Sequence, residues 1–309
     1  MKKQVHITTV IVILFLFLST VHAQSITTFT VNDFSLNGAV KSCTILTPYG
    51  KEMYDFDTQG RLVKAVTRYN ENDYEVSYYR FMDSRIAEKR EEYYENNTID
   101  NAKSVAYIFA LDTLTNILSE KIITYSKTFL EYNEFHFDSI QRLKRIKHLD
   151  AEGIDETRIL YDTLDSKFRA RFMVNNQLQK EEYNYETVAA DKKDSIAVIY
   201  TKWFANGIAE KAERVRKNRS GVLKDKTLFT FNIEGKRVPI VTLSYVYNEQ
   251  QAVKKITTSK DGKTAIQEFV YQYDGKENGN WVKQIVLPDN TYTTRKVTYY
   301  LLENKQNKE

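Results

Sequence analysis

Met53-Tyr54-Asp55-Phe56-Asp57-Thr58-Gln59-Gly60-Arg61-Leu62-Val63-Lys64 is the stretch whose reading decides the fold. Aromatic residues two apart point to one face of a β-strand, so Tyr54 and Phe56 share a side. The aspartate that follows can accept backbone N–H groups and start a turn, and Gly60 supplies the left-handed conformation a tight turn asks for. Leu62 then opens an apolar/polar alternation that runs back. The stretch reads as a β-hairpin. A helix is incompatible with it, because the apolar residues alternate by two rather than at helical spacing.

The same phrase recurs along the chain. Phe135-His136-Phe137-Asp138 leads through Ser139-Ile140-Gln141 to Arg142-Leu143-Lys144-Arg145. Tyr245-Val246-Tyr247-Asn248 runs into Ala252-Val253-Lys254-Lys255-Ile256, and Tyr271-Gln272-Tyr273-Asp274 into Gly279-Asn280-Trp281-Val282-Lys283. Weaker copies centre on Asp83, Asp112, Asp162, Asn206 and Asn232. Turn residues at 57, 83, 112, 138 and 162 are 26, 29, 26 and 24 apart, and the steps 206–232 and 248–274 are again 26. A period in the twenties marks a repeat architecture, and about 26 residues hold two strands and two turns. The expected fold is therefore all-β, with antiparallel hairpin repeats of about 26 residues forming an extended curved sheet or open shell. One interruption falls at 187–195, polar and without paired aromatics, expected to be a long loop or a seam between halves. The loop is favoured, because the rhythm resumes at Ile199.

With these copies in view, the chain resembles the YD repeats of the Rhs family, whose pattern is roughly Tyr-Asp-x-x-Gly-Arg-Leu. Tyr54 to Leu62 is the nearest copy, with an extra Phe-Asp in its spacing. Phe34-Ser35-Leu36-Asn37-Gly38-Ala39-Val40-Lys41-Ser42 and the Tyr271–Lys283 stretch resemble small exported Bacteroidetes proteins with degenerate copies of that repeat. The resemblance covers nearly all of residues 34–300. It implies architecture and says little about activity: large Rhs proteins enclose a toxin in a β-shell, and this chain is short for that and shows no separate toxin segment.

The N-terminus has the pattern of an export signal. Lys2 and Lys3 precede the apolar run Val10 to Leu18, and Val21-His22-Ala23 supplies a small-residue cleavage site before Gln24. The apolar core is short of the roughly 20 residues that span a bilayer, so residues 1–23 are expected to be a cleaved signal peptide and 24–309 one repeat domain. The expected location is periplasmic or secreted, the periplasm taken first because no C-terminal sorting domain is evident. After the leader no stretch approaches the length of a transmembrane helix. Cys43 is the single cysteine, so an internal disulfide is impossible. Of the formal charge of +4, the two leader lysines account for half. A mature charge of +2 gives no field for nucleic acid.

Chemistry is sparse. The mature chain has two histidines, His136 and His148, and no familiar zinc spacing, nucleophile elbow or glycine-rich phosphate loop. No catalytic residue, metal site or cofactor is therefore assigned. Glu91-Glu92 and Glu181-Glu182 are adjacent on predicted strands and so face opposite ways, unlike a glycosidase pair. Cys43 reads as a small buried hydrophobe and His136 as a hydrogen-bonded strand residue. The candidate ligand-binding residues are Trp203 and Trp281, for stacking, and Arg214 and Arg216, in a basic stretch suited to an anionic polymer. The expected function is an exported, non-catalytic binding or scaffolding protein of the cell envelope, with an envelope glycan or envelope protein as partner. Two alternatives stay open: an envelope carbohydrate-active enzyme whose carboxylates come from separate repeats, and a partner module of a larger surface assembly.

Overall fold

The computed structural model describes residues 28–47, 49–188, 195–275 and 279–301. The expected signal peptide lies outside the described residues, as do 189–194 within the expected loop or seam. Thr187, Val188 and Ser195, at the margins of that interruption, belong to strands. Apart from one turn of 3-10 helix at Val31–Phe34, the regular structure is β. The strands are β1 (Val40–Thr47), β2 (Gly50–Phe56), β3 (Leu62–Arg68), β4 (Tyr74–Met82), β5 (Arg85–Glu95), β6 (Thr98–Ile99) and β7 (Val105–Asp112). Next come β8 (Ile117–Thr124), β9 (Phe129–Phe137), β10 (Leu143–Leu149), β11 (Ile154–Leu164), β12 (Lys167–Val174), β13 (Gln177–Val188) and β14 (Ser195–Ala205). The last are β15 (Ile208–Asn218), β16 (Leu223–Phe231), β17 (Arg237–Tyr247), β18 (Val253–Lys260), β19 (Lys263–Tyr273), β20 (Trp281–Leu287) and β21 (Thr291–Tyr299).

Each strand pairs antiparallel with the next, except that the two-residue β6 hangs on the end of β5 while β5 itself pairs with β7. The decisive pairing is the last one. β21 lies antiparallel on β1, with Cys43 opposite Val297 and Ile45 opposite Arg295. The ladder therefore closes into a barrel of 20 strands. This corrects the expectation of an open curved sheet or shell: both edges of the array pair with each other, which leaves neither with a row of unsatisfied backbone groups. Twenty strands over residues 40–299 give 13 residues per strand and turn, or 26 per hairpin, as the period of the tyrosines requires.

The turns explain the period. In five of them, at Asp57, Asp138, Asn218, Asn232 and Asn248, the side-chain oxygen accepts the backbone N–H four residues on, at 2.8–2.9 Å. In each the same residue's backbone N–H donates to that later residue's carbonyl. The fourth position has positive φ in all five and is filled by Gly60, Gln141, Gly221, Gly235 and Gln251. The first copy is thus in register from Phe56, opposite Leu62 across the turn, and not from Tyr54. Asp162 departs from expectation as well. It lies inside β11 and binds the Arg169 guanidinium at 2.7 Å, while the turn falls at Asp165 and Ser166, both at positive φ.

Strand parity sorts the side chains into two walls. Cys43, Tyr54, Tyr107, Glu120, Phe135, Ile146 and Ile159 share one, and Ser42, Ile108, Leu149, Ile154 and Leu160 the other. On a closed curved sheet the inner side chains crowd and the outer ones splay. Ile122, Phe135, Ile146 and Ile159 are buried, whereas Ile108, Ile154 and Leu160 are 43%, 72% and 43% exposed. The Cys43 side is accordingly the inner wall. At β3–β4 and over β13 to β16 the crowding reverses, with Val66, Val76, Val198, Ala212, Thr227 and Phe229 buried on the outer wall. Beside them, Arg237 of β17 lies 5.3 Å from the ring of Tyr200 on β14. Residues 29–36 close over the inner wall at one end, where Leu36 joins Val40, Cys43, Phe56 and Leu62 in the main apolar cluster.

Candidate ligand-binding surface

The four residues singled out for binding do not come together. In β14 and β15, Trp203 pairs with Lys211 on the inner wall, while Arg214 and Arg216 pair with Tyr200 and Val198 on the outer one. Trp203 is half-buried, with the Lys211 ammonium 5.1 Å from its ring. Arg216 is held by Asp225 at 2.7–2.8 Å, and the Arg214 guanidinium lies 3.9 Å from the same carboxylate. Asp225 is buried, so Arg214 and Arg216 share one carboxylate within the barrel wall. Trp281 is 9% exposed, packed against Tyr271 at 5.8 Å and covered by the Arg295 guanidinium at 3.6 Å. Its ring is an anchor beside the Asn280 turn and offers no open stacking face.

Cys43 is 1% exposed in the apolar cluster, and burial pushes its thiol pKa up, away from nucleophile behaviour. His136 lies on the outer wall, opposite in direction to Phe135 and Phe137, and is held by Glu134 at 3.0 Å and Arg145 at 3.2 Å. Burial holds its pKa below the usual imidazole value, with Arg145 and Lys147 adding to that and Glu134 opposing it. Parity sends Glu91 and Glu92 to opposite walls, where Glu91 accepts from Tyr107 and Glu92 from Tyr94 and Tyr125. Glu181 and Glu182 divide the same way.

What the inner wall does assemble is a band of tyrosines, carboxylates and amides drawn from strands far apart in sequence. From β5 to β10 it runs through Lys89, Glu91, Tyr107, Glu120, Asn133 and His148. Lys89 holds Glu91 at 2.6 Å and stands over the Tyr107 ring, Asn133 donates to Glu120 at 2.9 Å, and His148 meets Asn133 at 2.7 Å. Glu120 is 5% exposed, and its pKa is raised, first by burial and further by the charge of Glu131; the Asn133 hydrogen bond and Lys89 pull the other way. A second sector spans the β1–β21 closure, where Tyr54, Tyr271, Trp281 and Arg295 meet. Tyr54 donates to Glu52 at 2.7 Å, and burial holds its hydroxyl protonated far above the usual range. Neither sector was legible as a site. Glu120, Asn133 and Arg295 carry no local signal, and the ring closure that groups Arg295 with Tyr54 joins residues more than 200 positions apart. Among the described residues, no group of three or more His, Cys, Asp or Glu side chains could hold a metal ion.

No family model matches the chain, and no curated protein matches it. Among solved structures it is similar to a porin-like protein from Bacteroides uniformis, at 5% identity over 84% of this chain and 96% of that one, with a TM-score of 0.33. A porin-like protein from Bacteroides vulgatus is similar at 10% identity, over 86% of this chain and all of that one, with a TM-score of 0.26. The TcdB2-TccC3-TEV structure is similar at 10% identity over 77% of this chain and 22% of that one, with a TM-score of 0.17. At such TM-scores the chains do not superpose as one fold, and the barrel closure rests on this chain's own strand pairing.

Proposed function

We propose that the protein is an exported, water-soluble, non-catalytic barrel of the cell envelope that binds a glycan or an envelope protein along its inner wall, and that its hairpins are degenerate YD-like repeats. The observation that carries the binding reading is the inner wall itself, where tyrosines, carboxylates and amides gather in two sectors. Such groups stack on and hydrogen-bond a polyhydroxylated or peptide ligand. The five-fold recurrence of one Asx-started turn, with Phe56 to Leu62 matching the Tyr-Asp-x-x-Gly-Arg-Leu pattern save for its aromatic, supports the repeat assignment.

The charges support the water-soluble reading. A barrel that spans lipid needs an outward apolar band about 25 Å tall, and a lysine or arginine at its middle costs roughly 2–4 kcal/mol. The outer wall carries Lys64, Arg90, Lys147, Arg169, Arg216 and Lys283 within its strands. The inner wall carries Lys89, Lys180, Lys226 and Arg295. Charges on both walls disfavour either as a lipid-facing surface. Residues 24–309 should therefore stay in solution without detergent and capture envelope glycan or protein in a pull-down. A product that is extracted only by detergent, or that captures nothing beyond a denatured control, defeats the reading. The enzyme alternative is favoured by one feature, the buried Glu120 carboxyl held toward its protonated form near Glu131. Turnover of envelope glycans abolished by Glu120→Gln would establish that alternative instead.

A further inference from the structure

Four arginines bury an N–H group that meets no partner among the described residues: Arg145, Arg171 and Arg214 at Nε alone, and Arg295 at both Nε and Nη1. The first three each have a carboxylate within ion-pair reach, Glu156 at 3.9 Å, Asp162 at 3.1 Å and Asp225 at 3.9 Å. Arg295 forms no ion pair among the described residues. The acid whose charge it feels, Glu52, is engaged by the Tyr54 hydroxyl. Its guanidinium approaches the Trp281 ring centroid to 3.6 Å, an arrangement that fixes the plane of the fork. Taking an arginine out of water without a counter-charge is costly, and an apolar residue of the same size would serve packing better. Burial does lower the Arg295 pKa, as such desolvation should.

We propose that Arg295, backed by Trp281, is the oxyanion-binding point of the inner wall, taking the carboxylate or phosphate group of a ligand whose body rests on the neighbouring aromatic rings. This rests on the inner wall being the binding surface and adds the class of group that it recognises. Tyr54 and Tyr271 stand on either side, each within electrostatic reach of the guanidinium. Gln284 donates to the Tyr271 hydroxyl at 2.9 Å, which fixes that ring beside Trp281. A planar fork flanked by rings suits an anionic group on a flat or cyclic body.

The protein has two tryptophans, so Trp203→Phe leaves Trp281 as the only indole and its fluorescence reports on Arg295 directly. The full mature chain in that background is titrated with glucuronate, acetate and inorganic phosphate. A saturable change with at least one of them is expected, weakened tenfold or more by Arg295→Met. Glucuronate and acetate without phosphate mark a carboxylate site, and phosphate alone marks a phosphate site. Arg295→Met should melt no lower than its parent, because it removes an unpaired buried charge; a purely structural arginine would instead be missed on melting. Should Arg295→Met not fold, Arg295→Lys keeps the charge, loses the fork, and should still weaken binding several-fold. No saturable response to any of the three anions, or the same response in the Arg295 variants, overturns the proposal. Glycan or protein capture that survives Arg295→Met also removes Arg295 while leaving the binding wall in place.

Discussion

Glu120 shows what the inner wall demands of a single side chain. The carboxyl is buried and its pKa is raised, chiefly by desolvation. A folded-state pKa above the unfolded value, about 4.3 for glutamate, means that the folded protein binds the proton more tightly than the unfolded one. Its contribution to stability is therefore complete below the unfolded value and is lost as pH rises through the folded one. Glu120→Gln keeps an oxygen for the Asn133 amide and cannot ionise. It should gain on the parent as pH rises across that window, and urea melts at a series of pH values check this. A constant difference between the two proteins would show that Glu120 ionises as freely in the barrel as in the unfolded chain. Tyr273 and Gln272 make a second comparison, because the alternation read from Tyr271-Gln272-Tyr273 places them on opposite walls. Gln272 is exposed and Tyr273 half-buried, its ring 6.1 Å from that of Tyr271 and its hydroxyl accepting from Asn248 at 2.9 Å. A fully buried ring would cost about 3–5 kcal/mol on truncation; at half burial Tyr273→Ala should cost about 1–2 kcal/mol. Gln272→Ala should stay within about 0.5 kcal/mol, and equal effects in denaturant titration would mean the two side chains do not differ in burial as drawn.

At the scale of the element, the five like turns carry the repeat, and their fourth position is where sequence and geometry disagree. Gln141 and Gln251 hold φ of 62° and 63°, where the other three copies use glycine. Left-handed backbone costs a side-chain-bearing residue about 1–2 kcal/mol. Glycine escapes that cost but loses more freedom on folding, by roughly 0.5–1 kcal/mol. The balance favours glycine, so Gln141→Gly should stabilise the barrel by about 0.5–1 kcal/mol, read from the midpoint of chemical unfolding; a loss of stability would mean that the Gln141 side chain, 3.3 Å from the Asn116 amide oxygen, contributes more than the strain. Much of this level was legible in the sequence, because an Asx residue, a left-handed position and aromatic alternation are local properties. The misreadings were local too. At Tyr54-Asp55-Phe56-Asp57 two aromatic–acid pairs compete for one turn, and the bulge at Asp55/Phe56 settles the register. Asp162 looked like a turn residue because of its type, yet the pair of arginines on β12 holds it within the strand. The four proposed binding residues are scattered for a reason of the same kind: residue type is local, but strand parity and ion pairing to Asp225 decide which wall each faces and what it touches.

Closure belongs to the whole molecule and had no local signature, since Val40 and Tyr299 find each other only once every intervening hairpin is in place. What secures the join is visible at one end. Asn280, 1% exposed, accepts from the Asn37 backbone N–H at 2.8 Å, donates to the Asn37 carbonyl at 2.9 Å and meets the Tyr299 hydroxyl at 2.8 Å. Tyr300 in turn donates its hydroxyl to the Phe56 carbonyl and its backbone N–H to Ala39. The segment before β1 and the turn before β20 are thereby tied to β21, across the seam that makes the array a ring. Removing the buried Asn280 amide takes three hydrogen bonds out of the seam, each contributing about 0.5–1.5 kcal/mol net. Asn280→Ala should therefore lower stability by about 2–4 kcal/mol. The loss should be uneven: β1 and β21 should exchange their amide hydrogens faster, while β8 to β12, half a circumference away, keep their protection. Thr298→Ala, at an exposed position of β21, removes only the contact with Ser42 at 2.6 Å and should change stability by about 0.5 kcal/mol or less. If Asn280→Ala leaves both the melt and the exchange of β1 and β21 as they were, the ring is held by its ladder alone and the stapled seam has no energetic role.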